Sequence, residues 1–394
     1  MNHLFVTQDF TPDRGGMARR HVELCRRWPG DHMTVSTVRA SNNDTRDVTA
    51  VDAAEPFAIE RVPFPFREAN RFTSQIHWAV RLLARVGKVD LLHCGNIRPV
   101  GYAVWWVARR AGLPYLIYVN GGDLLRERDK ARSWLKRKVS KRIFADAAGV
   151  VANSAWTASL ASDVMRQVGV KTPPPVAAID LGTDPVYFHP GRDIGALRAK
   201  LDLGDGPVVL TVARLVPHKG QDVGIRAIAS LAREFPTLRY LLVGEGHDEE
   251  RLRLLADDLN VADRVIFAGV LSDEDVAEAY AMASVYLGLS RIDRGVNVEG
   301  FGISFVEAGA SGAPSVAGDS GGVRAAVRDG VTGIVVTPDD VVAAADALRS
   351  LLGDPVRRKA MGDAARAAVV EYYNWDRVAR ETSDFADRVT WKQA

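Results

Sequence analysis

Short apolar runs alternate with amphipathic stretches along nearly the whole chain. In the first half the pattern predicts strands over 3–8, 33–38, 90–93, 115–119 and 149–152. Between them it predicts helices over 16–28, 73–86 and 98–111, then a basic helix running to 145. Ser154 stands where a hydroxyl would cap the next helix. The second half repeats the theme, with strands near 208–212, 239–243, 264–268, 285–288, 314–317 and 334–336. Helices are expected over 221–232, 343–351, 355–371 and 375–389. Alternation of this kind builds parallel sheets with helices on both faces, so the fold class is α/β. Thr172-Pro173-Pro174-Pro175 is stiff and non-helical, and the passage from Gly182 to Pro190 is the expected hinge. The boundaries drawn from this are 1–180, 181–374 and a terminal helix in 375–394.

Chemistry concentrates in Glu299-Gly300-Phe301-Gly302-Ile303-Ser304-Phe305-Val306-Glu307, where two carboxylates eight positions apart frame a Gly-x-Gly turn. The turn leads into a helix from about Ser304 and is expected to expose the N–H groups of Phe301, Gly302 and Ile303. Unpaired N–H groups at the positive end of a helix suit a phosphate. Carboxylates accept hydrogen bonds from vicinal hydroxyls, so Glu299 and Glu307 can each hold a sugar diol on one side of that phosphate site. A nucleotide-sugar has this layout. Eighty residues earlier, Ala213-Arg214-Leu215-Val216-Pro217-His218-Lys219-Gly220 leaves the end of a buried strand. Ligands of open α/β sheets bind beyond the carboxyl ends of strands. Arg214 and Lys219, five residues apart, form a basic fork suited to a diphosphate.

Together these segments resemble the glycosyltransferase family 4 enzymes, retaining transferases of the GT-B architecture. The resemblance spans nearly the whole chain. It includes Phe10-Thr11-Pro12-Asp13-Arg14-Gly15-Gly16, Asp90-Leu91-Leu92-His93, Asn120-Gly121-Gly122-Asp123 and Leu181-Gly182-Thr183-Asp184. Gly244-Glu245-Gly246, Phe267-Ala268-Gly269 and Ser320-Gly321-Gly322 continue the series. It implies two Rossmann-like domains whose parallel sheets face a central cleft, and a last helix returning to the first domain. The donor would lie mainly on the second domain. Arg214, Lys219 and the backbone around Phe301, Gly302 and Ile303 would take the diphosphate, Glu299 the sugar and Glu307 the ribose. Gly246 and Val270 would lie along the donor, the latter near the base. Gly15 and Gly16 would let the first-domain loop approach the phosphates, since no side chain intervenes.

Asn120, Gly121 and Asp123 would face the acceptor side. Here the chain departs from the family pattern, which usually has His where Asn120 stands. An amide cannot relay a proton as imidazole does, yet it still hydrogen-bonds a hydroxyl. A nucleotide-sugar epimerase of the same architecture and a catalytically impaired nucleotide-sugar binder are the alternatives. The resemblance does not separate UDP- from GDP-linked donors. The acceptor expected is a glycan, a lipid-linked sugar or a small molecule, in envelope polysaccharide or glycolipid synthesis.

At 394 residues, 47% hydrophobic and 25% charged, the chain has room for two cores and an ordinary globular composition. No run approaches the ~18 apolar residues of a membrane span. The N-terminus reads as a strand rather than a leader. Two cysteines, Cys25 and Cys94, suit a reducing cytoplasm. No Cys/His spacing suggests a metal, so no cofactor is expected. Asp273-Glu274-Asp275 behind Ser272 reads as an acidic helix start. Residues 1–190 carry 27 Lys+Arg and 18 Asp+Glu, a balance of +9, whereas the remainder carries 24 and 31, a balance of −7. Much of the positive excess lies in 126–142, with Trp134, Leu135, Val139, Ile143 and Phe144 interleaved. Such a helix docks its apolar side into its own domain, rests on an anionic inner leaflet, or does both. Nothing accompanies the charge that would read nucleic acid.

Overall fold

A computed structural model describes residues 1–13, 15–30, 32–39, 48–65, 72–293, 295 and 297–390. The chain divides into two compact units: Met1–Leu181 with the chain from Trp375 onward, and Gly182–Asn374. Each unit is built on one parallel sheet.

The first sheet comprises β1 (Asn2–Val6), β2 (His32–Arg39), β3 (Ala58–Pro65), β4 (Leu91–Cys94), β5 (Tyr115–Val119), β6 (Gly149–Ala152) and β7 (Val176–Ala178). Its order is β3-β2-β1-β4-β5-β6-β7, with parallel pairing throughout. Parallel neighbours need crossover connections, and helices supply them: α1 (Gly16–Arg26), α2 (Val48–Ala53), α3 (Phe72–Leu83), α4 (Val100–Ala111), α5 (Gly122–Lys130), α6 (Trp134–Ala145) and α7 (Ala155–Val168). Every residue of β4, β5 and β6 is buried, and β5 and β6 accordingly read as unbroken apolar runs, whereas β4 carries His93. The Ser154 hydroxyl accepts from the Thr157 N–H and caps α7, as expected.

The second sheet runs β10-β9-β8-β11-β12-β13, again all parallel. Its strands are β8 (Val208–Val212), β9 (Arg239–Val243), β10 (Val265–Gly269), β11 (Val285–Gly288), β12 (Ser315–Gly318) and β13 (Gly333–Val336). Around it lie α8 (Gly195–Lys200), α9 (Gln221–Leu231), α10 (Glu249–Asp258), α11 (Asp273–Met282), α12 (Ile303–Ala310), α13 (Val323–Ala326), α14 (Val341–Leu352) and α15 (Pro355–Glu371). Ile225, Ile228, Leu231, Leu252 and Leu348 pack in one core with Val209, Leu242 and Val285. The acidic triplet does open a helix: the Ser272 hydroxyl accepts from the Asp275 N–H.

The last helix, α16 (Trp375–Thr390), belongs to the first unit. Its Phe385 ring lies on Gly149 of β6 so closely that a Cβ there would meet the ring at 2.7 Å. Residues 391–394 and Arg14 of the N-terminal motif lie outside the described residues.

The structure holds four helices that the sequence pattern does not predict, α2, α8, α10 and α13, and it differs from the expectation in further places. The basic stretch is two helices, α5 and α6, because Ser133 is extended and breaks the run. The stiff Pro173–Pro175 passage leads into an edge strand, β7, and the Pro175 carbonyl accepts from the Val150 N–H at 2.9 Å. Prolines lack a donor and suit the margin of a sheet. The opposite edge strand, β3, was also unanticipated. Finally, α12 starts at Ile303 rather than Ser304, behind Gly302 at φ 96°.

Candidate active site

In the second unit the strand order reverses between β8 and β11, and the connections leaving these neighbours diverge. Such a switch point opens a crevice at the carboxyl ends of the strands. The loop after β8 crosses the end of β11 at Gly220, where φ is 74° and a Cβ would meet the Leu289 carbonyl oxygen at 2.1 Å. Only glycine fits that crossing. The Arg291 N–H then donates to the His218 carbonyl at 2.8 Å and pins the two loops together.

This crossing brings Lys219 to Glu299. The Lys219 Nζ lies 2.7 Å from Glu299 Oε2, and each side chain is 20% exposed. Burial pushes the Glu299 carboxyl up, but Lys219, His218 and the Phe301 N–H outweigh it, so its pKa lies below the ordinary value. The Glu299 main chain is held as well: its carbonyl accepts from the Gly322 N–H at 2.8 Å. Gly321, at φ 61°, passes so near that a Cβ would meet that carbonyl at 2.2 Å. The Ser320-Gly321-Gly322 segment is thus a clamp on Glu299.

Of the three N–H groups expected to be exposed before α12, that of Phe301 is taken by Glu299. Its side chain is buried, 6.1 Å from the Tyr373 ring. Gly302 and Ile303 remain as the main-chain donors at the helix start that Glu299 does not take. Glu307 is buried one turn further, where Tyr280 donates its phenol to Oε2 at 2.8 Å. Arg214 is exposed in the β8 loop. Gly246 packs against that loop, since a Cβ would meet the Leu215 carbonyl oxygen at 2.0 Å. Val270 is exposed just after Gly269, which adopts φ 63°.

One group here escaped the sequence reading. His218 is buried between Arg214 and Lys219 in sequence, and its pKa is pushed down to about 4. Burial is the main cause, the fields of Lys219 and Arg214 add to it, and Glu299 and Asp293 oppose it. The imidazole is therefore neutral at pH 7. Its place inside the basic loop was the only available signal.

In the first unit the sheet reverses between β1 and β4. Gly15 caps α1 at φ 144°, a backbone conformation that favours glycine, and a Cβ there would meet nothing within 4 Å. Gly16 is the first residue of that helix. At the β5 end, Asp123 turns back on its own loop and accepts from the N–H groups of Asn120 (3.0 Å) and Leu124 (2.9 Å). Gly121, at φ 98°, makes that turn possible. Burial raises the Asp123 carboxyl, with those N–H groups opposing. Its hydrogen bonds therefore serve the loop, a role the sequence did not single out.

Asn120 has an unforeseen partner, Arg20 of α1, which is only 1% exposed. The Arg20 guanidinium donates to Asn120 Oδ1 at 2.8 Å and to the carbonyls of Val119 and Val151 at 3.2 Å. It also lies 5.1 Å from the Tyr118 ring centre. The basic α6 docks through Ser140, Ile143 and Phe144, while Trp134 (75%) and Leu135 (56%) are exposed on its first turn. Among the described residues no group of three or more His, Cys, Asp or Glu could hold a metal ion. No described helix is long and apolar enough to cross a membrane.

Known proteins resemble this chain over most of its length. Residues 14–171 match the model of Glycosyltransferase Family 4, and residues 193–368 that of Glycosyl transferases group 1. A GDP-mannose-dependent alpha-(1-6)-phosphatidylinositol monomannoside mannosyltransferase of Mycolicibacterium smegmatis is 33% identical over 391 residues, 94% of each chain. A D-inositol 3-phosphate glycosyltransferase of Nocardia farcinica is 30% identical over 98% of this chain and 88% of its own. Among solved structures, sucrose-phosphate synthase from Thermosynechococcus elongatus matches with a TM-score of 0.79 at 23% identity, covering 100% of both chains. Anabaena HepE in complex with UDP and glucose matches with a TM-score of 0.78 at 20% identity, covering 98% of this chain and 99% of its own. Those two structures share the double-Rossmann fold. The chain belongs to the glycosyltransferase family 4 enzymes, and it is a glycosyltransferase that draws on a nucleotide-sugar.

Proposed function

We propose that the protein is a retaining mannosyltransferase that takes its sugar from GDP-mannose and adds it to a lipid-linked mannoside. Its activity needs no metal. The observation that carries the catalytic part is the Lys219–Glu299 contact of 2.7 Å at the β8/β11 switch point, beside the Gly302 cap of α12. The choice of GDP-mannose and of a glycolipid acceptor rests on relatives 33% identical over 94% and 97% of the chain, each described as a GDP-mannose-dependent phosphatidylinositol monomannoside mannosyltransferase.

In this reading Arg214, Lys219 and the N–H groups of Gly302 and Ile303 receive the diphosphate and stabilise charge that develops on it as the glycosidic bond breaks. Removing one such donor typically lowers the rate by ~10²–10³. Glu299, fixed by Lys219 on one side and the Gly321-Gly322 clamp on the other, accepts from the sugar hydroxyls. Glu307 accepts from the ribose, with Tyr280 orienting it. Retention follows from attack on the face that the leaving diphosphate vacates, without a protein nucleophile. The protein works at the cytoplasmic face of an anionic membrane, with the exposed Trp134 and Leu135 of α6 against the lipid.

Radiolabelled GDP-mannose, UDP-glucose and UDP-galactose offered with phosphatidylinositol mannoside vesicles test the reading directly. Mannose transfer from GDP-mannose is expected, with an α linkage by NMR and unchanged rates in EDTA. Preference for a UDP-sugar would refute the donor assignment, a β linkage the retention, and loss of activity in EDTA the metal independence.

A further inference from the structure

Asn120 stands where the family pattern has His, and its environment decides what it offers a ligand. The guanidinium of Arg20 carries donors only. The Asn120 side-chain atom 2.8 Å from Arg20 Nη1 must therefore be the carbonyl oxygen, and the amide cannot flip without setting N–H against N–H. Arg20 is held on its other side by the carbonyls of Val119, the last residue of β5, and Val151, the penultimate residue of β6, with the Tyr118 ring centre 5.1 Å away. Burial lowers its pKa to about 10, so it stays charged and donor-only at neutral pH. What remains of Asn120 is the amide NH₂, and Nδ2 is buried with no hydrogen-bond partner among the described residues. On the neighbouring strand, Val119 pairs with Ala152, so Asn153 follows β6 as Asn120 follows β5. Asn153 Oδ1 is likewise buried and without a partner. An unsatisfied donor and an unsatisfied acceptor thus lie at adjacent strand ends, on the edge of the sheet where ligands bind. A hydroxyl group is acceptor and donor at once.

We propose that Arg20 is a positioning residue that fixes Asn120 as an obligate hydrogen-bond donor, and that this donor takes a sugar hydroxyl oxygen of the substrate. The proposal rests on the transferase reading and adds that position 120 works as a donor and never as a base. A His at the same position would obey the same constraint. The nitrogen facing Arg20 must accept, so the other carries the proton and points outward, and the adjacent cation keeps the ring neutral.

The test uses the full-length enzyme with GDP-mannose and phosphatidylinositol mannoside vesicles. Asn120→Asp is isosteric, keeps and strengthens the Arg20 contact, and replaces the NH₂ donor by an acceptor. It should melt no lower than wild type yet lose roughly 10- to 100-fold in kcat/KM, because a buried donor to the substrate becomes a repelling oxygen. Asn120→His should recover most of that loss, and Arg20→Lys, which removes the fork, should fall between. A raised KM for GDP-mannose, with slower donor hydrolysis in the absence of acceptor, would place the hydroxyl on the donor sugar. A raised KM for the mannoside with hydrolysis intact would place it on the acceptor. If wild type transfers mannose and Asn120→Asp transfers it equally well, the pair merely holds a structural water and the inference is wrong. Absence of transfer by the wild-type enzyme would instead overturn the transferase reading itself.

Discussion

Replacing Lys219 by Ala removes one charge from a pair 2.7 Å apart and leaves Glu299 one-fifth exposed without its main counter-charge. Two effects follow, and they are separable. The first is on ligand affinity. A charge-assisted contact to a diphosphate is worth about 1.5–3 kcal/mol, so the Kd for GDP should rise roughly 10- to 150-fold. The second is on stability. Unit charges about 4 Å apart attract by roughly 4 kcal/mol at an effective dielectric of 20, and solvent at a partly exposed pair lowers that figure. The Glu299 carboxyl lies below its ordinary 4.5 because Lys219, His218 and the Phe301 N–H overcome burial. A carboxyl depressed in the folded state stabilises above its unfolded pKa, and that contribution is lost as pH falls through the folded one. Without Lys219, burial dominates and the carboxyl rises. The melting temperature of Lys219→Ala should therefore fall well below wild type at pH 7, and the gap should narrow below about pH 4. Calorimetric titration with GDP and thermal melts at the two pH values measure both effects. Unchanged GDP affinity would sink the diphosphate role, and a pH-independent gap in melting temperature would sink the electrostatic account of Glu299.

The two glutamates should separate by role. Glu299→Gln is expected to depress mannose transfer while sparing GDP binding, whereas Glu307→Gln should weaken GDP itself, and equal losses of GDP affinity would contradict that order. His218 has a folded pKa near 4 against an ordinary 6.5, so its neutral form stabilises fully above 6.5 and the contribution disappears as pH falls toward 4. His218→Gln should flatten that part of the stability profile in chemical denaturation, and an unaltered slope would show that the imidazole is not buried neutral. Liposome flotation checks the α6 surface. Binding to anionic vesicles at 0.1 M salt should weaken at 1 M, as the Debye length falls from ~10 Å to ~3 Å, and Trp134→Ser should reduce it. A protein that stays soluble with anionic vesicles at low salt leaves Trp134 and Leu135 as solvated surface.

What could be read in the sequence follows physical lines. The central strands were legible because a parallel strand covered on both faces must be largely apolar, as β5 is throughout and β8 is apart from Thr211. The edge strands β3 and β7 escaped because edges tolerate what interiors forbid: Glu60 and Arg61 inside β3, and three prolines leading into β7. The basic fork and the Glu pair were visible as local chemistry, and glycines marked the sharp turns. Their meeting was expected only through the family resemblance, which put both segments on one donor. Lys219 reaches Glu299 because β8 and β11 are neighbours in the sheet though widely separated in sequence, and strand order is written in no local pattern. The same limit hid Arg20. On a helix of mixed composition an arginine reads as solvated surface, and only the closure of α1 over β5 and β6 shows it buried against Tyr118. Asn120 drew notice by its difference from the family pattern, but its chemical sense came from the partner a hundred residues away. A substitution at a site can therefore preserve function when the environment dictates polarity: with a fixed donor on one side, amide and imidazole both present N–H on the other. That equivalence is a property of Arg20, and no inspection of position 120 alone would reveal it.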